Sequence, residues 1–170
     1  ITDIKNYFEK TLQRSLQEID LSLFTSYLTL DAGINEGKNE VQFLFVYDKE
    51  SRHLQHCQPS DLQEELNGVA FQSPYGEFSF AGVPSEGMVS REDLFMDLLS
   101  VVSDSADVKR MIVVSFNEEY GKKVTDVLQG LKGKEVVQFR MNEPEIPVNY
   151  KWDMLAFPVM HSLGIRAEEL

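Results

Sequence analysis

Two stretches of this chain end in the same dipeptide, Val113-Val-Ser-Phe-Asn-Glu118 and Val136-Val-Gln-Phe-Arg-Met-Asn-Glu143. Their apolar, β-branched runs are those of buried strands, so Asn117, Glu118, Asn142 and Glu143 would stand at the carboxyl ends of neighbouring strands. Ligands of open parallel sheets bind at those ends. Amides and carboxylates gathered there could coordinate a divalent ion through oxygen, or share a proton in acid/base work. A plainer role competes with this one: Glu118 and Glu119 also suit the first turn of a helix, where the dipole favours negative charge.

Ser85 and Ser90 lie in Gly82-Val-Pro-Ser-Glu-Gly-Met-Val-Ser90, a loop from a strand to a helix. Its small residues could hold a modest anion at the helix start. A phosphate loop needs Gly-x-x-x-x-Gly followed by Lys and Ser or Thr. Gly82 and Gly87 have that separation, but Met88 and Val89 stand where the lysine and hydroxyl belong. Without the cation, and with Glu86 beside it, the loop is unsuited to nucleotide phosphates. His53-Leu-Gln-His56-Cys57 offers residue types that zinc takes. On a strand, however, His53 and His56 would point to opposite faces, and a fourth ligand would have to come from His161 or a distant carboxylate. No metal site and no cofactor is expected.

Neither a Ser-His-Asp arrangement nor a Gly-x-Ser-x-Gly elbow is present. The sequence therefore reads as a binding or interaction module, with an acid/base or metal-assisted enzyme at the strand-end carboxylates as the alternative. Trp152, Phe157 and Met160, in an apolar tail, are residue types enriched in interface cores. They point to another protein, or a second copy of this chain, as partner.

The elements that must position these groups follow from periodicity. Ile4, Phe8, Leu12, Leu16 and Ile19 form one stripe of an N-terminal helix. Leu23 to Leu30 and Val41 to Tyr47, separated by a polar loop, read as an antiparallel hairpin. Arg52 to Cys57 reads as a shorter strand. Ser60 to Gly68 reads as a short helix with Ser60 as N-cap and Gln63 closing a capping box, and Phe78/Phe80 lie on a short strand. Ser90 caps a helix over Arg91 to Ser103. A strand at Lys109 to Phe116, a helix at Glu118 to Leu131 and a strand at Glu135 to Met141 follow. With the Phe78/Phe80 strand, these give a β-α-β-α-β half of parallel crossovers. The tail from Tyr150 to Leu163 reads as a final apolar helix that Pro158 would kink. The expectation is a single α/β domain over residues 1–170, its mixed sheet packed by helices.

Composition sets the outer bounds. With 42% hydrophobic and 26% charged residues the chain is globular in type. Its 28 acidic against 16 basic residues give a net charge of −12, spread over both halves. Such a field repels phosphate backbones and anionic membrane surfaces, so no nucleic acid and no membrane is expected. A single cysteine excludes an internal disulfide and fits a cytoplasmic setting. Ile1 is not an initiator methionine, which leaves room for a segment removed upstream.

Overall fold

The computed structural model of the chain describes residues 1–115 and 117–170, and at Asn117 the backbone alone. The class is α/β, with helices and both parallel and antiparallel strand pairs. The chain forms two compact units: Ile1–Pro84 with Ala156–Leu170, and Ser85–Leu155.

The first unit opens with α1 (Thr2–Leu12). Gln13 takes a left-handed backbone and ends the helix there, so Leu16 and Ile19 are buried but no longer helical. A two-residue β1 (Ile19–Asp20) leads into α2 (Leu21–Asp31). This helix replaces the first strand of the expected hairpin, and the cause is local. Asp20 caps it, accepting from the Ser22 and Leu23 amides at 3.0 and 3.2 Å. The β-branched Thr25 and Thr29 return their hydroxyls to the Leu21 and Thr25 carbonyls, so both polar groups are buried yet satisfied. Leu21, Phe24 and Leu28 then form a buried stripe at helical spacing.

With α2 helical, β2 (Asn39–Tyr47) pairs elsewhere. Its partner is β5 (Gly76–Pro84), in parallel, from Asn39 opposite Gly76 to Tyr47 opposite Pro84. β4 (Ala70–Ser73) adds antiparallel to the other side of β5, giving the order β2-β5-β4. One face of this sheet is a run of phenylalanines. Phe43 stacks on Phe80 at 4.9 Å between centroids, and Phe71 lies 5.5 Å from Phe78 and 5.6 Å from Phe80. Gly76 makes the β2–β5 pairing possible: its φ is 131°, and an added Cβ would fall 1.9 Å from the Asn39 carbonyl oxygen.

The expected strand at Arg52 to Cys57 shrinks to β3 (Cys57–Gln58), parallel to β1, with His53 in an isolated bridge to Asp61. The expected short helix is a single π-helical turn, Leu62–Leu66, and its cap is Asp61 rather than Ser60. Asp61 accepts from the Gln63 and Glu64 amides, while Glu65 accepts from the Asp61 amide. Arg52 grips the same carboxylate at 2.9 and 2.8 Å. The unit closes with α5 (Ala156–Ser162), which lies beside α2 and α1. Pro158 falls in its first turn, where no intrahelical acceptor waits for an N–H, so it begins the helix rather than kinking it.

The second unit is a three-stranded parallel sheet with helices on one face. α3 (Arg91–Asp104) is capped by the Ser90 hydroxyl, which accepts from the Asp93 amide at 3.0 Å. β6 (Arg110–Val114), α4 (Asn117–Gln129) and β7 (Glu135–Arg140) follow as expected, although Phe116 lies outside the described residues. β8 (Lys151–Met154) then pairs parallel to β7, in the sheet order β6-β7-β8. Two expectations change here. The start of the presumed final helix is a strand, and the Phe78/Phe80 strand belongs to the other unit's sheet, so the third parallel strand is β8. Leu99, Met111, Val113, Tyr120, Val124, Leu128 and Val136 form the core between helices and sheet. No helix among the described residues is long and apolar enough to cross a membrane.

Candidate functional site

The carboxyl ends of β6, β7 and β8 are where the topology gathers loops in the second unit. The first turns of α3 and α4 meet there: Arg91 reaches the Glu119 carboxylate at 3.3 Å, and Lys123 pairs with Glu92. Helix dipoles and acidic first turns explain both alignments. Glu119 and Glu92 are therefore spent on holding α3 beside α4.

The acidic residues expected as a site do stand at this end, each of them exposed. Glu118 is exposed on α4, while Asn142 and Glu143 are exposed on the loop after β7. Asn142 contributes its backbone carbonyl, which accepts from Arg140 Nε at 3.1 Å. The side chain of Asn117 lies outside the described residues. Ser90 is consumed as the α3 cap and Ser85 is half-buried in the preceding loop. Among the described residues no three His, Cys, Asp or Glu side chains are grouped to hold a metal ion. His53 instead rests on Asp61 at 3.2 Å, and Cys57 is buried.

What the sequence reading missed at this end is its apolar display. Met88 and Val89 in the loop before α3, and Met141 just past β7, are exposed. Ile146 is exposed too, further along the loop that returns to the amino end of β8, where Asn149 donates to the Gln129 carbonyl. Glu86, Glu118 and Glu143 stand at the carboxyl end with no cationic partner within the described residues. The signal was present in the sequence: Met and Val at the two positions that break the phosphate-loop pattern are costly to expose without a use.

Behind this display sits a buried polar group. Gln138 on β7 is fully buried between Val113 and Trp152 on the flanking strands. Its oxygen accepts from the Tyr150 hydroxyl at 2.8 Å and from Arg140 Nη1 at 3.3 Å. These bonds tie the β7–β8 loop to the sheet, so the loop that carries Met141 and Ile146 is anchored at both ends.

The opposite end of the sheet is basic. Lys109, Arg110, Lys132 and Lys134 line a shallow depression there with Asp104 and Glu135. Two of these cations have structural work. Lys134 donates to the Ser105 and Val108 carbonyls, closing the α3–β6 loop, and Arg110 pairs with Glu135 at 2.9 Å. Of the tail residues, Trp152 is half-buried on β8, Met160 is buried on α5, and Phe157 on α5 is exposed.

Residues 1–170 match throughout the profile of a family of unknown function (DUF6621). The chain belongs to that family. No curated protein and no solved structure matches it. One pair in the first unit had no sequence signal, because its members are far apart in the chain: His161 Nδ1 lies 3.1 Å from Asp31 Oδ2, with the Tyr27 ring 5.3 Å from the imidazole. A carboxylate in this position fixes which ring nitrogen carries a proton.

Proposed function

We propose that this member of the family is a protein-interaction module whose docking surface is the carboxyl end of the β6-β7-β8 sheet. The observation that carries the reading is the joint exposure of Met88, Val89 and Met141 at that end, amid glutamates with no cationic partner among the described residues. Methionine adapts its shape to a partner, and exposed apolar side chains rimmed by charge are characteristic of binding surfaces. Glu86, Glu118 and Glu143 at the same end select a basic partner with apolar anchors, since charge complementarity steers encounter and rejects acidic competitors. Nothing in this reading requires the carboxylates to converge, and their exposed positions suit it.

The test places a photo-crosslinking residue at Met141 and, as control, at Lys132 on the opposite end. The proposal expects a discrete adduct in the native cell from position 141 and none of the same mass from 132. Identical adducts from both positions, or none from 141, would contradict it. The enzyme alternative has its own check. If Mg²⁺, Mn²⁺ or Ca²⁺ raised the melting temperature and Glu118→Gln with Glu143→Gln removed that rise, the carboxylates would be an ion site. The interaction reading expects no such shift.

A further inference from the structure

β2 runs for nine residues along the rim of its sheet, with β5 on one side and no strand on the other among the described residues. The backbone groups of residues 40–46 that point away from β5 have no protein partner among the described residues. Edge strands this long are usually blunted by Pro, Lys or a bulge, because an open row of N–H and C=O groups recruits another strand. β2 has none of these: its register with β5 is unbroken, and Glu40 is its one charge. Val41, Phe43, Phe45 and Tyr47 share one face, and Glu40, Gln42, Leu44 and Val46 share the other.

We propose that β2 pairs antiparallel with β2 of a second copy of this chain, about a two-fold axis through Phe43, joining two three-stranded sheets into one of six strands. The occupant is a second copy because the strand is complementary to itself. Centring the pair on Phe43 sets Val41 opposite Phe45 and Phe43 opposite its own copy, which extends the aromatic face across the axis. On the other face Gln42 meets Leu44 and Glu40 meets Val46. Just beyond the strand, Lys38 comes opposite Asp48, twice by symmetry; Lys38 is exposed with no ion-pair partner among the described residues, while Asp48 Oδ1 already accepts from the Glu50 and Ser51 amides.

Neighbouring registers are worse. Moving the axis to Leu44 sets Glu40 against Asp48, a like-charge contact, and moving it to Gln42 leaves Lys38 opposite Val46. Any register centred between residues lays one copy's aromatic face against the other's polar face.

The test is the mass of the full chain by light scattering or sedimentation across a concentration series. The proposal expects a species of twice the 19.5 kDa chain at high concentration. Gln42→Lys with Leu44→Lys sets lysines opposite one another at two symmetric places, and facing like charges should weaken the dimer by about tenfold or more. Gln42→Glu with Leu44→Glu does the same with carboxylates. Both positions are exposed, so at dilutions where the wild type is monomeric each variant should keep its thermal midpoint. Mixing the two variants should restore the dimer as a heterodimer, because every facing pair is then of opposite sign. A wild-type chain that stays monomeric overturns the proposal. So does a dimer that both variants leave intact, or a mixture that fails to associate.

Discussion

Replacing Gly76 by Ala tests whether the β2–β5 pairing is built as described. The parallel register begins at this glycine, opposite Asn39. An alanine Cβ would lie 1.9 Å from the Asn39 carbonyl oxygen and 2.6 Å from its backbone nitrogen and carbonyl carbon. Asn39 has little freedom to withdraw, since its side-chain amide donates to the Asn35 and Tyr75 carbonyls at 3.0 and 2.7 Å. The backbone conformation, φ 131°, adds its own strain for any residue with a Cβ. An unfavourable backbone costs roughly 1–3 kcal/mol. Opening the first rung forfeits one or two hydrogen bonds at about 1 kcal/mol each, for a total of about 2–5 kcal/mol. Gly87→Ala is the control, because Gly87 also has a positive φ, 66°, but open space around it. Its cost should be only the left-handed backbone, about 1–2 kcal/mol. Urea denaturation of the two variants separates clash from conformation. A Gly76→Ala midpoint no lower than that of Gly87→Ala would refute the reasoning.

Two further outcomes follow from the first unit. Arg52, foremost, and the Gln63 and Glu64 amides hold the Asp61 carboxyl well below the usual carboxylate range. Its folded pKa lies under its unfolded one, so its stabilising effect is complete above about pH 4 and is lost as pH falls below that. Thermal midpoints of the wild type should therefore drop more steeply between about pH 4 and pH 2 than those of Asp61→Asn; parallel curves would refute this. Burial pushes the Cys57 thiol up to about 11. An aromatic disulfide reagent at mildly alkaline pH should find no reactive thiol in the folded chain and one after unfolding; rapid labelling of the folded chain would contradict its burial.

The second unit was largely legible in the sequence, and the first was not. α3, β6, α4 and β7 announce themselves by a Ser90 cap, a continuous apolar run and amphipathic stripes, each decided by residues within one element. α2 failed that local reading because Phe24, Thr25, Tyr27 and Thr29 are strand formers by type. The helix is decided by Asp20, one residue before it, and by threonine hydroxyls bonding back along the turn. β8 failed because Trp152 and Met154 are equally at home on a helix, and only the parallel neighbour β7 makes their segment a strand. The candidate site divides in the same way. The topology did bring Glu118 and Glu143 to one end of a sheet, as their spacing suggested. Their exposure, and that of Met88 and Met141, depends on what lies above them in space, which no spacing along the chain contains.

The central claim concerns that end of the sheet, and one measurement addresses it most directly. Met88→Ser, Val89→Ser and Met141→Ser together change only exposed side chains, so the thermal midpoint should stay within about a degree or two of wild type. With the photo-crosslinker moved to the neighbouring Asn142, the triple variant should lose the discrete adduct that the otherwise unchanged chain forms there. An adduct of undiminished yield in the stable triple variant would show that these apolar side chains are not what the partner grips.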